Sequence, residues 1–577
     1  MFYTWNRDTN SLTDDGRISG SATSTLTISN VSSTDAGTYT VSVTNIAGAA
    51  QSAATLLTVA SPPVIVTPPT NQTVLPGATA TFAVGAVGSQ PLFYQWQNHG
   101  TNIISGGNTS VLTLRNVSPA DAGAYSVVVS NTLGSVTNAG GMLAVIPVSV
   151  PGTTLATLYS FKDANDGSNP LAPLVQATNG SFYGTANSGG ASRAGTVFRI
   201  TTNGALGTLH AFSGGNDGGA PRAGLIQAAD GNLYSTTSSG GANFGGTVFR
   251  MTINGALTTL HAFTFGSDGG NPWGLVQATD GNFYGTTSSG GGSGDGTVFK
   301  MLPNGTLTAL HGFSGADGAN PRGGLVQGND GNLYGVTLRY GAPSPYDGTL
   351  FKITTTGTLT TLFNGTGTNR FSPRDRPVQS SDGNFYGTTL DGGANRSGRV
   401  FKMTPTGLLT WLYSFTGGSD GQWPRAALVE GKDGYFYGTT TVGGAYGFGT
   451  VFRMIPSGAL TTLLYFDGFN GANPAAPLVQ ATDGNFYGTT PNGGANGFGT
   501  VFRLSVPALS LSIALAGSQI VLSWPSWASD LRLQQNSDLT TSNWVAVTNP
   551  PPVVTNLENQ VILSPATSGN TFYRLTH

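Results

Sequence analysis

The chain of 577 residues sets 24 Lys and Arg against 26 Asp and Glu, for a formal net charge of -2, with 9% charged residues, 86 glycines and no cysteine. That balance supplies no basic field for nucleic acid, and the lack of cysteine excludes disulfides, thiol nucleophiles and thiolate-ligated metals. No apolar run approaches the ~18 residues of a membrane-spanning helix, and the length leaves room for several domains.

Taken from the N-terminus, the first readable pattern is a duplicated corner. Asp35-Ala36-Gly37-Thr38-Tyr39 recurs as Asp121-Ala122-Gly123-Ala124-Tyr125, 86 residues later, and each copy follows a short apolar run, Leu26-Thr27-Ile28 or Val111-Leu112-Thr113-Leu114. These residues resemble the tyrosine corner of immunoglobulin-like domains. With Trp96 as the core tryptophan and Val84 and Val127 where such domains often carry a disulfide, residues 61–148 read as one complete sandwich. Residues 1–60 read as a partial one: the run Phe2-Tyr3-Thr4-Trp5 stands at the start, so the strands expected before it are absent. A signal peptide lost together with those strands is the expectation that follows.

Residues 152–505 are filled by seven copies of one unit. A run such as Phe283-Tyr284-Gly285-Thr286-Thr287 is followed 13 residues later, or 15 in the fourth copy, by a run such as Gly296-Thr297-Val298-Phe299-Lys300. The second run begins at Gly195, Gly246, Gly296, Gly348, Gly398, Gly449 and Gly499, at intervals of 51, 50, 52, 50, 51 and 50 residues. So regular a period marks a tandem supersecondary unit. Within residues 274–313 four short strands are legible, separated by Asp280-Gly281-Asn282, by a glycine-rich stretch and by Pro303-Asn304-Gly305. Four antiparallel strands copied seven times predict an all-β chain whose centre is a seven-bladed β-propeller, closed by pairing residues 154–161 with the last copy. The Asp-Gly-Asn-Phe/Leu-Tyr-Gly and Gly-Thr-Val-Phe-Arg/Lys runs resemble the GloVer tandem repeat of bacterial extracellular proteins. The resemblance implies an exported or surface-anchored protein and brings no catalytic residues with it.

Residues 508–577 alternate in Gln519-Ile520-Val521-Leu522-Ser523-Trp524 and again in Leu531-Arg532-Leu533-Gln534, and they end on Phe572-Tyr573-Arg574-Leu575. They predict a small fibronectin-like β-sandwich, similar to the C-terminal modules of secreted bacterial surface proteins.

In a four-stranded meander the loop after the second strand and the connector after the fourth share one face. Sequence variation among the copies concentrates there, which marks the face free to specialise. Its connectors carry Arg222, Arg322, Arg374 and Arg425, each directly after a proline, with Trp273 at the same place in another copy. Guanidinium groups grip carboxylates or sulfates, and Trp273, Trp423, Tyr340, Tyr346 and Tyr446 offer faces for a sugar or peptide. Placed on a propeller, the arginines would surround the mouth of a channel. The competing structural reading pairs them with the connector aspartates Asp217, Asp317 and Asp420.

Asp166, Asp217, Asp268, Asp317 and Asp420 are also the residues that would hold calcium, although Asp and Gly are the usual turn formers. His210, His261 and His311 occupy one repeated position, which repetition explains without a metal. No metal site or catalytic set is assigned. The reading is a monomeric, non-enzymatic, extracellular or cell-surface binding or adhesion protein for a glycan or protein ligand, with a polysaccharide hydrolase or lyase as the alternative.

Overall fold

The computed structural model describes residues 1–577 apart from 75–78, 99–101, 105–106, 116, 118–120, 146–149, 151, 342–346, 366–369, 517–518, 526–530, 549–550, 556–557, 565–569 and 577. It divides into two compact units, Met1–Val145 and Ile146–His577.

In the first unit the duplicated corner is a duplicated register. Strand Phe2–Arg7 pairs with Gly37–Asn45 so that Trp5 faces Val41, and Phe93–Asn98 pairs with Gly123–Asn131 so that Trp96 faces Val127. The Tyr39 hydroxyl donates to the Asp35 carbonyl at 2.7 Å, and the Tyr125 hydroxyl to the Asp121 carbonyl at 2.8 Å. Both are tyrosine corners, which tie the chain entering a strand back to the strand itself. The copies differ in their cores. Trp96 is fully buried among Phe82, Val84, Tyr125 and Val127, whereas Trp5 is only half-buried. In the second copy Val111–Leu114 pairs with Ala80–Ala83; its counterpart Thr27–Ile28 pairs with the short Ile18–Ser19.

In the second unit each repeat is one four-stranded antiparallel sheet, and the third copy shows the strand order, with a first strand of 8 residues where the others have 2. Gly270–Gln277, Phe283–Ser289, Thr297–Met301 and Leu307–Gly312 lie side by side in chain order. The repeated letters have packing reasons. Phe299 of the third strand lies across Gly285 of the second, where a Cβ would come within 2.5 Å of the phenylalanine ring, so a side chain there would make the ring shift; six of the seven copies keep glycine and the second has Ser235 opposite Phe249. The Tyr284 hydroxyl donates to the Asp280 carboxylate at 2.7 Å, and Asn282 caps the same group, so Asp-Gly-Asn and the tyrosine after it form one device. Sheets meet through these tyrosines: Tyr234 lies on Phe283, Tyr334 on Phe385, Tyr386 on Phe436, Tyr437 on Phe486 and Tyr487 on Phe182, with ring centroids 4.1 to 4.3 Å apart. Strand Thr154–Ser160 pairs with Thr500–Ser505, so the two ends of the repeat region share one sheet.

The all-β class stands, but the seven-bladed β-propeller is corrected. Among the described residues the repeat strands form separate four-stranded antiparallel sheets, none of them closed, and no backbone ladder runs from one of these sheets to the next. The physical reason is that a period of about 50 residues fixes the strands inside one unit, whereas the joints between units are made by side-chain packing and by single connector hydrogen bonds, such as that from the Asn320 amide to the Asp295 carbonyl, that the period does not specify. The description of the arginines as lining a channel mouth falls with it.

Beyond the repeats, Ser512–Ala516, Gln519–Pro525, Glu558–Leu563 and Val553–Thr555 form a four-stranded sheet, and Val545–Ala546, Arg532–Asn536 and Phe572–Thr576 a three-stranded one. Leu522, Trp524, Leu533 and Val561 are buried in one cluster.

Candidate functional site

The connector between the fourth strand of one sheet and the first strand of the next bridges to the segment after that next sheet's second strand, as Gly219 does to Ser239 and Gln422 to Val442. Both variable segments therefore lie together. The anchor is the proline before each candidate position. Pro321 packs on Gly296 of the preceding sheet, where a Cβ would lie 2.9 Å from the proline Cδ and 2.2 Å from the Thr287 carbonyl oxygen; Gly296 has φ +97°, a conformation glycine adopts freely. Pro221 meets Gly195 and Pro424 meets Gly398 in the same way. A threonine of the preceding sheet then holds the carbonyl at or just beyond the candidate side chain. Thr236 donates to Trp273, Thr286 to Gly323 and Thr388 to Ala426.

The positions so fixed are, in chain order, Leu171, Arg222, Trp273, Arg322, Arg374, Arg425 and Ala475. Five consecutive copies thus carry Arg, Trp, Arg, Arg, Arg between two apolar ends. The backbones at or just before the first strands of three successive sheets come close within a few residues of these positions. A Cβ on Gly274 would lie 3.4 Å from the Gly324 Cα, and one on Gly323 would lie 2.7 Å from the Arg376 amide nitrogen.

The electrostatics follow from that crowding. Burial pushes the Arg374 pKa down to about 10, and the charges of Arg322, Arg425 and Arg339 add to the shift. Burial likewise lowers Arg322, with Arg339 and Arg222 contributing. Arg322 and Arg374 thus feel the neighbouring guanidinium groups as like charges. The buried Nε of Arg374 has no hydrogen-bond partner. Arg322 Nε donates to Asn320 Oδ1 at 2.6 Å and Arg222 Nε to Asn187 Oδ1 at 3.3 Å, neutral partners that orient a guanidinium without neutralising it.

Pairing of these arginines with Asp217, Asp317 and Asp420 is corrected. Those carboxylates hold rings of the fourth strand: His210 on Asp217 at 3.0 Å, His311 on Asp317 at 2.7 Å and Tyr413 on Asp420 at 3.0 Å. Asp268 holds His261 and Asp166 holds Tyr159 in the same fashion. Burial would raise Asp217, but hydrogen bonds from Ser213 and His210 outweigh it and leave the carboxyl below its usual range. Among the described residues no ion pair joins a carboxylate to Arg222, Arg322, Arg374 or Arg425. The five aspartates named for calcium sit one to a connector, each engaged with its own ring, and no three acidic or histidine side chains gather among the described residues.

The aromatic candidates separate. Trp273 is half-buried and Trp423 is exposed, two residues before Arg425. Tyr446 is half-buried, with burial and then the charge of Asp467 raising its pKa. Tyr340 belongs to strand Arg339–Gly341, its side chain being outside the described residues, as is the whole of Tyr346.

Two residues escape a reading by repeat position. Arg339 opens the short strand Arg339–Gly341 that follows the fourth copy's second strand and pairs with the connector strand Asp317–Ala319, and the signal for it is that copy's 15-residue spacing. Arg376 follows Asp375, a carboxyl that burial raises and that accepts the amides of Arg376 and Ala427 at 2.7 and 3.2 Å. A cavity of about 580 Å³ lined by His210, Asp217, Leu257 and Thr259 contains none of the arginines, and its His210–Asp217 pair is already satisfied.

With this geometry in hand, comparison with known proteins gives three family matches. The Gloeobacter/Verrucomicrobia repeat matches residues 117–345 and 327–521, an immunoglobulin I-set domain residues 3–59, and an immunoglobulin domain residues 62–131. Roundabout homolog 1 from Mus musculus and from Homo sapiens is 36% identical over 126 residues, covering 19% of this chain and 8% of the length of those proteins. Among solved structures, extracellular domains 3–5 of Drosophila OTK are 26% identical with a TM-score of 0.18, covering 25% of this chain and 51% of that one. The N-terminal four immunoglobulin domains of Dscam1 isoform 1.9 are 26% identical with a TM-score of 0.21, covering 25% and 37%. No described helix is long and apolar enough to cross a membrane.

Proposed function

We propose that this chain, which belongs to the Gloeobacter/Verrucomicrobia repeat family and carries two immunoglobulin-type domains in tandem, is a non-enzymatic binding or adhesion protein of the cell exterior. Its ligand carries carboxylate or sulfate groups and docks on the connectors through Arg222, Arg322, Arg374 and Arg425. The observation that carries this reading is the unpaired state of the cluster. Like-charged guanidinium groups are crowded, one with a buried Nε lacking any partner, while the aspartates of the same connectors are engaged elsewhere. Such an arrangement costs stability, and a bound oxyanion relieves it through charge-assisted, often bidentate hydrogen bonds. The immunoglobulin-type tandem fits a role in presenting or spacing that surface.

The test is an array of anionic and neutral glycans and peptides probed with the full chain and with the double variant Arg322→Gln, Arg374→Gln. Retention of anionic probes only, lost in the variant and with no product formed, is the expected result. Equal retention of neutral probes, or turnover, would sink the reading.

A further inference from the structure

In six of the seven connectors the residue before the proline is held in the left-handed region, Ser372 of the fifth being outside it, and one of the six stands apart from the rest. Asn169, Ala220, Asn271, Asn320 and Asn473 stand there with φ between +50° and +58°, and Asn is the residue that best tolerates this conformation after glycine. Three of them use their side chains as well. Asn271, Asn320 and Asn473 donate Nδ2 to the carbonyls of Ser238, Ser288 and Thr441 at 2.7, 2.9 and 3.0 Å, tying the connector to the preceding sheet.

In the sixth copy the same place is taken by Trp423, with φ +60°. A bulky residue is strained there, and an indole has no amide with which to make that tie. Nor does burial compensate, since Trp423 is 38% exposed. The backbone is nonetheless the one the copies share, with the Trp423 amide donating to Ser397 at 2.9 Å and its carbonyl accepting from Thr441 at 3.1 Å. The copy therefore gives up a favourable residue in order to show an aromatic face, two positions from Arg425 and one sheet away from Arg374.

We infer that the ligand of the connector arginines is an acidic polysaccharide, one sugar ring of which stacks on Trp423 while its carboxylate or sulfate groups are held by Arg374 and Arg425. This rests on the anion-binding reading above and narrows it. Pyranose faces present axial C–H groups that pack on an indole, while a guanidinium takes the charged substituent edge-on, so aromatic and cation must be neighbours on one surface. Trp273, flanked in the series by Arg222 and Arg322, repeats the combination three copies earlier, as a chain of sugars would require. An acidic peptide needs the arginines but not the indole.

The experiment uses the full chain and Trp423→Asn, the residue of the sibling copies, titrated with dextran sulfate, polygalacturonate and poly-L-glutamate. The variant should bind both polysaccharides about tenfold more weakly, bind poly-L-glutamate as the wild type does, and melt at or above the wild-type temperature because strain is released and the tie restored. Unchanged polysaccharide binding in Trp423→Asn, or an equal loss for poly-L-glutamate, overturns the inference and leaves the anion site standing. Failure of the wild type to bind any of the three overturns both.

Discussion

The Asp-Gly-Asn turns and the connectors of the repeat region are built from the same few residue types, yet they treat charge in opposite ways. In the turns every element is satisfied within the copy: Asp280 accepts Tyr284, Asn282 and Lys300, and Asp382 accepts Tyr386, Asn384 and Lys402. In the connectors the aspartates are equally occupied, but by rings of the fourth strand, and the arginines are left facing one another. Charges that repetition has paired belong to the fold. Those it has left unpaired, at positions differing from copy to copy, are the candidates for recognition.

The comparison breaks most visibly if the joint beneath the arginines is forced. Gly296→Ala places a Cβ against the Thr287 carbonyl and Pro321 at a backbone angle that alanine resists, and it should cost ~3 kcal/mol in calorimetry and displace Arg322. A variant that melts like the wild type would remove the proline joint as the device that places the arginines.

A smaller effect separates the two regions by sign. Arg374→Met removes a partly buried, unpaired cation and should raise stability by about 1 kcal/mol, whereas Lys300→Met breaks a half-exposed pair and should lower it by ~0.3 kcal/mol. Thermal melts with the same sign for both would erase the distinction between paired turns and unpaired connectors.

The smallest is read in acid. Burial raises Asp280, but Asn282, Tyr284 and Lys300 more than offset it, and the carboxyl titrates at about 2. A group lowered in the folded state contributes stability that is present above its unfolded value near ~4 and is lost as pH falls through the folded one. Stability from the turns should therefore decline between pH ~4 and ~2, and Asp280→Asn should flatten that decline in urea unfolding at successive pH values.

Much of this was legible in the sequence. The period located each strand, because Gly285 under Phe299 and Tyr284 on Asp280 are local features that each recur in six of the seven copies, Ser235 and Asn179 standing in the exceptions. The tyrosine corners at Tyr39 and Tyr125 were equally visible. The arrangement of the sheets was not, since a repeat specifies what happens inside a unit and the β-propeller extrapolated from it went beyond the strand pairing. At the site, the arginines were found because they recur directly after a proline in the connectors of the variable face. Their lack of partners was hidden, because only the structure shows that His311 and Tyr413 have already taken Asp317 and Asp420. Arg339 was signalled only by a two-residue lengthening of its copy, and the strain at Trp423 only by a backbone angle.

The central claim is that the unpaired connector arginines bind anions, and titration calorimetry of polygalacturonate into the full chain and into Arg322→Gln, Arg374→Gln tests it most directly. Wild-type binding should weaken as salt is added, and the variant should lose at least tenfold in affinity at unchanged thermal stability or above. Equal affinity in both proteins would contradict it.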